Sequence, residues 1–190
     1  MRGHTLLEMV LAAGMLMVLM VTIILVYVVG ASAWRKGDTQ AELLQDLQTS
    51  GARLSVDLAS SSYEGLSVGP SFVSCLSPVD KDGKLAYQAG QPLLRWARFR
   101  RWALSSSGEL LRRDFDVPSS SPVVTAPVPL ESFVGGPYAG GSLMMRNMTV
   151  FSVTMAGVRT LRVTMTAEKK RYGHRDPEKV SRVFVVRVNN

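Results

Sequence analysis

Between Met9 and Trp34 the chain carries no charged residue. As a helix, those 26 residues at about 1.5 Å each would run about 39 Å, more than the roughly 30 Å hydrocarbon core of a bilayer. A helix packed on a soluble core keeps one polar face, and this run has none. It therefore reads as a membrane-spanning segment. The overall hydrophobic fraction of 46% is ordinary, but it is concentrated at this end. The remainder is polar, basic and broken by Gly, Pro and Ser, so 190 residues leave room for one domain behind an apolar appendage.

Three readings compete for the first 35 residues. Arg2 followed by an apolar stretch and Ala31-Ser32-Ala33 has the parts of a secretory signal peptide, but the apolar stretch is far longer than the usual 7 to 15 or so residues. A plain signal anchor would use Tyr27 and Trp34 as interfacial aromatics. Its orientation is weakly marked, since Arg2 stands on one side and Arg35 and Lys36 on the other. The third reading starts from Glu8 at the mouth of the run. A carboxylate at a hydrocarbon edge is costly unless a positive group compensates it. Thr5-Leu6-Leu7-Glu8 also fits a capping box, in which the hydroxyl and the carboxylate satisfy free N–H groups of the first turn.

Gly3-His4-Thr5-Leu6-Leu7-Glu8 before a long apolar run resembles the processing signature of the type IV pilin superfamily. The resemblance implies that a prepilin peptidase cuts between Gly3 and His4 and that the new amine of His4 is methylated. His4 stands where family members usually carry Phe. Glu8 becomes the fifth mature residue, and the family uses it to register an incoming subunit against the filament base. The resemblance also implies a bacterial inner-membrane protein with a periplasmic domain. It would later be taken into the base or tip of a pilus or pseudopilus.

Past Trp34 the pattern becomes striped. Leu43, Leu44, Leu47, Gly51, Leu54 and Leu58 recur at spacings of three and four, and Asp46, Thr49, Arg53 and Asp57 are assigned to the opposite face. One helix is thus expected from about Thr5 to about Ala59, ending at Ser60-Ser61-Ser62. From about Leu66 onward the chain reads as β structure. Leu93 to Leu104, a Ser105-Ser106-Ser107-Gly108 turn and Glu109 to Val117 make a hairpin. Pro118 to Pro129 and Gly135 to Gly141 read as loops. Three strands follow at about Met145 to Ala156, Thr160 to Ala167 and Val180 to Val188, with Lys169 to Lys179 as a charged, exposed link.

The expected fold class is α+β and pilin-like: a long N-terminal helix, half membrane-spanning and half amphipathic, packed on one antiparallel sheet curled around its striped half. The segments are a leader at 1–3, a transmembrane and filament-core half-helix at 4–34, an amphipathic half at 35–62 and a β-rich domain at 63–190. The closing strands, with their basic link and Arg187-Val188-Asn189-Asn190 end, are similar to minor pilins of the PilW class and to the J-type minor pseudopilin of type II secretion. Leu25 occupies a place where many major pilins have proline, which points to a minor subunit. The implied partners are other minor and major pilins through the helix, the prepilin peptidase, the inner-membrane assembly platform and a tip adhesin.

Chemistry is harder to find. His4 and His174 are the only histidines and Cys75 the only cysteine, so neither a nucleophile with its base nor a zinc set is evident, and no cofactor is expected. Cys75 reads as a buried small side chain. Asp80-Lys81-Asp82-Gly83 resembles the start of a calcium loop, but Gln91 stands where its last ligand would be, and Asp with Gly equally makes a turn. Asp114 and Asp116 are expected to pair with cross-strand arginines such as Arg98 or Arg100. From Gly141 onward ten Lys and Arg face three Asp and Glu, which matches the whole net charge of +7. Arg98 to Trp102 interleaves arginines with aromatics, and Lys169, Lys170 and Arg171 cluster. Both are weak nucleic-acid candidates, because a half-buried strand and a solvated loop give the same patterns.

Overall fold

The computed structural model describes residues 5–80, 82–87, 96, 98–116, 141–170 and 176–188. The chain divides into two compact units, Met1–Ala41 and Glu42–Asn190. One helix, α1 (Leu6–Ala59), supplies residues to both.

In the first unit α1 is exposed at every residue from Leu6 to Gly30, and it is long and apolar enough to cross a membrane. Val21-Thr22-Ile23-Ile24 is β-branched throughout, a local preference against helix in water. The helix forms nonetheless, since it closes its own backbone hydrogen bonds. Hydroxyls within the run also bond internally: Thr22 Oγ1 donates to the Val18 carbonyl at 2.9 Å and Ser32 Oγ to that of Val29 at 2.8 Å.

In the second unit the helix buries Leu43, Leu47, Ser50, Gly51, Leu54, Asp57 and Leu58. Three serines finish it. Ser60 and Ser61 return their hydroxyls to the carbonyls of Asp57 and Leu58 at 2.9 and 2.8 Å, and the Ser62 hydroxyl caps a 3₁₀ turn, Tyr63–Gly65, by accepting from Gly65 N–H.

Eight strands follow: β1 (Leu66–Val68), β2 (Phe72–Ser77), β3 (Arg98–Leu104), β4 (Leu110–Asp116), β5 (Ser142–Met145), β6 (Met148–Gly157), β7 (Thr160–Lys169) and β8 (Glu178–Arg187). All pairings are antiparallel, as expected for the α+β layout. They form two sheets and not one: a five-stranded sheet β1-β2-β3-β4-β5 and a three-stranded sheet β6-β7-β8. Strand alternation in the sequence reveals which face of a strand is buried but not which neighbour it pairs with, and the break falls at Arg146-Asn147, where Asn147 adopts φ 60°. Side chains from both sheets and the helix stripe, among them Trp102, Leu110, Phe151, Leu161 and Met165, form one core.

The β3–β4 hairpin turns where expected. Ser105 Oγ accepts from the N–H groups of Ser107 and Glu109, both at 3.2 Å, and Gly108 takes φ 77°, open to glycine without strain. Lys169 is not in a loop: it ends β7, and Glu178 and Lys179 begin β8. The regions expected to be loops at Pro118 to Pro129 and Gly135 to Gly140 lie outside the described residues, as do Leu93 to Arg95, Ala97 and Val117 of the expected hairpin.

Candidate functional site

At the N-terminal end of α1, Gly3 and His4 lie outside the described residues. Thr5 and Glu8 do meet: the Glu8 carboxylate accepts from Thr5 N–H at 3.0 Å, and Thr5 Oγ1 accepts from Glu8 N–H at 3.4 Å. Two N–H groups that the first turn cannot satisfy internally are thereby engaged. The carboxylate stands at the end of the helix where the backbone dipole favours negative charge. Below it, Val10, Leu11, Gly14, Met15, Val18, Leu19 and Thr22 line a shallow groove along one side. Gly14 sits in its floor with open space where a side chain would be. The geometry presents apolar surface closed at one end by an acid.

The second unit holds a polar cluster that sequence reasoning missed. Asp57, assigned to the solvent face of the stripe, is buried. Its Oδ1 accepts from Arg100 Nη1 at 2.6 Å, and its Oδ2 from the indole Nε1–H of Trp102 at 2.9 Å. Arg112 Nε stands 3.3 Å from the same carboxylate, within ion-pairing range but not aligned for a hydrogen bond. Arg100 is itself buried, and its Nε also reaches Asp114 Oδ1 at 3.1 Å. Burial acts to weaken the hold of Arg100 on its proton, and Asp57 and Asp114 more than reverse this, so the guanidinium sits above the ordinary arginine value. The cluster joins the end of the helix to the middle of β3 and β4. One signal was present in the sequence: Leu43, Leu47, Ser50, Leu54 and Asp57 follow a 4, 3, 4, 3 spacing, so the seam itself runs into the aspartate.

Cys75, on β2 behind this cluster, is buried as expected. Desolvation, reinforced by the Asp57 charge, pushes its thiol up to about 12. It is an inert packing group at neutral pH, and its sulfur lies 3.8 Å from the Asp57 carbonyl oxygen.

The remaining candidates separate. Asp80 Oδ1 accepts from the N–H groups of Asp82 and Lys84, both at 2.9 Å, and Gly83 takes φ 77°, which makes the segment a side-chain-closed turn. Among the described residues no three His, Cys, Asp or Glu side chains gather as a metal set. Asp114 pairs with Arg100 and, at 3.5 Å, with Arg98. Asp116 lies opposite Arg98 in the strand register. Phe99 and Trp102 are buried, so the β3 stretch offers neither ring to a base, and Arg101 lies over the Phe72 ring at 4.3 Å. Lys169 Nζ contacts both oxygens of Glu42 at 2.7 Å. Lys170 follows β7, and Arg171 lies outside the described residues.

Comparison of the chain with protein-family models, with curated proteins and with solved structures finds no match.

Proposed function

We propose that this chain is a minor pilin, a structural subunit that primes or caps assembly of a type IV pilus at its tip together with other minor pilins. On this reading a peptidase removes residues 1–3, the amine of His4 is methylated, and the apolar half of α1 holds the subunit in the inner membrane with its β-rich domain in the periplasm. The subunit then enters the filament by exchanging lipid for the helices of its neighbours.

The observation that carries the reading is the exposed apolar helix from Leu6 onward, closed at its first turn by Glu8. Fully covering a side chain such as Leu, Val or Met is worth about 1.5–3 kcal/mol, so a run of this length is driven strongly into lipid or against like helices. Glu8 would meet a positive end group there, either its own processed amine or that of the next subunit.

The test has two parts. Intact mass and N-terminal sequencing of the mature protein should begin at His4; a start at Trp34, or an uncut Met1, defeats the proposal. Glu8→Gln removes the charge but keeps a residue that serves in a capping box. It should leave helicity intact and abolish incorporation into filaments. Thr5→Ala should weaken the cap by about 1 kcal/mol and leave incorporation near normal. If Glu8→Gln assembles as well as the parent chain, Glu8 acts as a cap alone.

A further inference from the structure

Strand β8 closes the three-stranded sheet, and among the described residues it pairs with β7 only. Its ten residues keep unbroken register with β7 from Glu178 opposite Lys169 to Arg187 opposite Thr160. Natural sheets usually blunt such an edge with a bulge, a proline, a short strand or a cover, because its free N–H and C=O groups template another strand. Here there is no bulge and no proline, and the strand is long. Val183 and Val185 are 56% and 67% exposed.

Among the described residues, charge is the one blunting device present, and it is one-sided. Lys179, Arg182 and Arg187 are exposed on β8, and Arg162 of β7 stands exposed beside Val185 in the register. Arg162, Arg182 and Arg187 have no ion-pair partner among the described residues. The carboxylates of this sheet, Glu168 and Glu178, lie at its other end, opposite Lys179 and Lys169 in the register. An incoming strand therefore meets a net positive edge with two exposed valines between the arginines. A second copy of β8 would bring further positive charge against it, which disfavours self-pairing.

We infer that the free edge of β8 is a docking site for an extended, acidic segment of a partner protein, which adds as a fourth strand. Main-chain hydrogen bonds to β8 supply the attachment. On the face that carries Val183, Val185, Arg187 and Arg162, apolar side chains of the segment cover the valines and a flanking carboxylate meets the arginines, and a carboxylate on the opposite face meets Arg182. The inference stands apart from the filament reading, since it uses neither α1 nor processing.

The full chain in zwitterionic micelles can be titrated with a short labelled peptide, Glu-Glu-Glu-Val-Glu-Val-Glu-Glu-Glu, whose two valines share a face with flanking glutamates, followed by fluorescence anisotropy. Three controls decide the mode: the same peptide with lysine for glutamate, the acidic peptide with its amides N-methylated, and hydrogen exchange of the β8 amides. The acidic peptide should bind and protect the outward β8 amides. The lysine and N-methylated forms should bind at least about tenfold more weakly, as should Arg182→Glu and Arg187→Glu chains, since each loses charge-assisted or main-chain hydrogen bonds. Equal binding of the N-methylated peptide would reduce the edge to simple charge attraction and overturn strand addition. No binding overturns it as well. Protection of the β8 amides before any peptide is added also overturns it, whether a second copy or another segment of this chain supplies the cover.

Discussion

Removing the Asp57 carboxylate should be the most damaging single change to the domain. In Asp57→Ala the buried Arg100 keeps only its bonds to Asp114, and the indole N–H of Trp102, on a side chain with no solvent exposure, loses its acceptor. Breaking one side of a buried ion pair costs about 3–5 kcal/mol, and a stranded buried donor about 1–3 kcal/mol. Because Asp114 still partly compensates Arg100, we expect a total of about 4 kcal/mol, a large share of the roughly 5–15 kcal/mol typical of a domain. At about 2–4 °C per kcal/mol for a chain of this size, the midpoint should fall by about 8–16 °C. Asp57→Asn should cost less, since its oxygen can still accept from Arg100, but its amide would turn a donor towards Arg112 or Trp102. The assays are thermal unfolding of the full chain in micelles for the midpoint and urea unfolding for the free energy, both followed by tryptophan emission. Of the three tryptophans, Trp102 reports on the core, Trp96 is half-buried and Trp34 is already 80% exposed, so the same titration on a Trp96→Phe chain isolates the core signal. Asp57→Ala with Arg100→Leu should lose less than the sum of the two single changes, because the charge stranded by either one is then gone. A loss below about 1 kcal/mol for Asp57→Ala would refute the clamp, since a solvent-facing aspartate costs no more than that.

Other outcomes follow from the same packing. A Cβ on Gly51 would stand inside the ring of Phe184, so Gly51→Ala should cost about 1–3 kcal/mol in the same unfolding assay, and Phe184→Leu should recover part of it. Cys75 should resist a thiol reagent at pH 8 until urea unfolds the chain. Its folded value is raised to about 12 from 9.0, so its contribution to stability is complete below pH 9 and is lost as pH rises towards 12. Cys75→Ala should flatten that alkaline decline in stability. The Glu42–Lys169 pair is solvent-exposed on both sides, and Lys169→Met should change stability by less than about 1 kcal/mol.

The sequence made the helix legible because its two halves follow different rules. One lacks charge altogether, and the other repeats Leu at helical spacing, so its ends at Leu6 and Ala59 fall close to those expected. Local turn chemistry located the β3–β4 hairpin equally well. Asp57 is the exception: by residue type an aspartate on the Leu43–Leu47–Ser50–Leu54 seam reads as surface, and only its partners show it to be buried. Those partners, Arg100 and Trp102, lie on a different element and in no local window. Strands β1 and β2 escaped individual recognition because Gly69-Pro70 interrupts them after three residues, and the split into two sheets depends on pairing. Lys169 reads as loop because charge at the end of a strand resembles charge in a link.

The distance in sequence between Asp57 and its partners is also an interval of time. Arg100 follows it by 43 residues and Trp102 by 45. At a synthesis rate of about 5–20 residues per second, the carboxylate waits about 2–9 seconds before Arg100 and Trp102 have been made, and the leucines beside it wait longer still for their neighbours on β6, β7 and β8. During that interval the striped half of the helix is a bare amphipathic surface, open to lipid, to chaperones and to other nascent chains. A chain interrupted before β3 would remain in that condition permanently, so truncated products should be bound by chaperones or degraded.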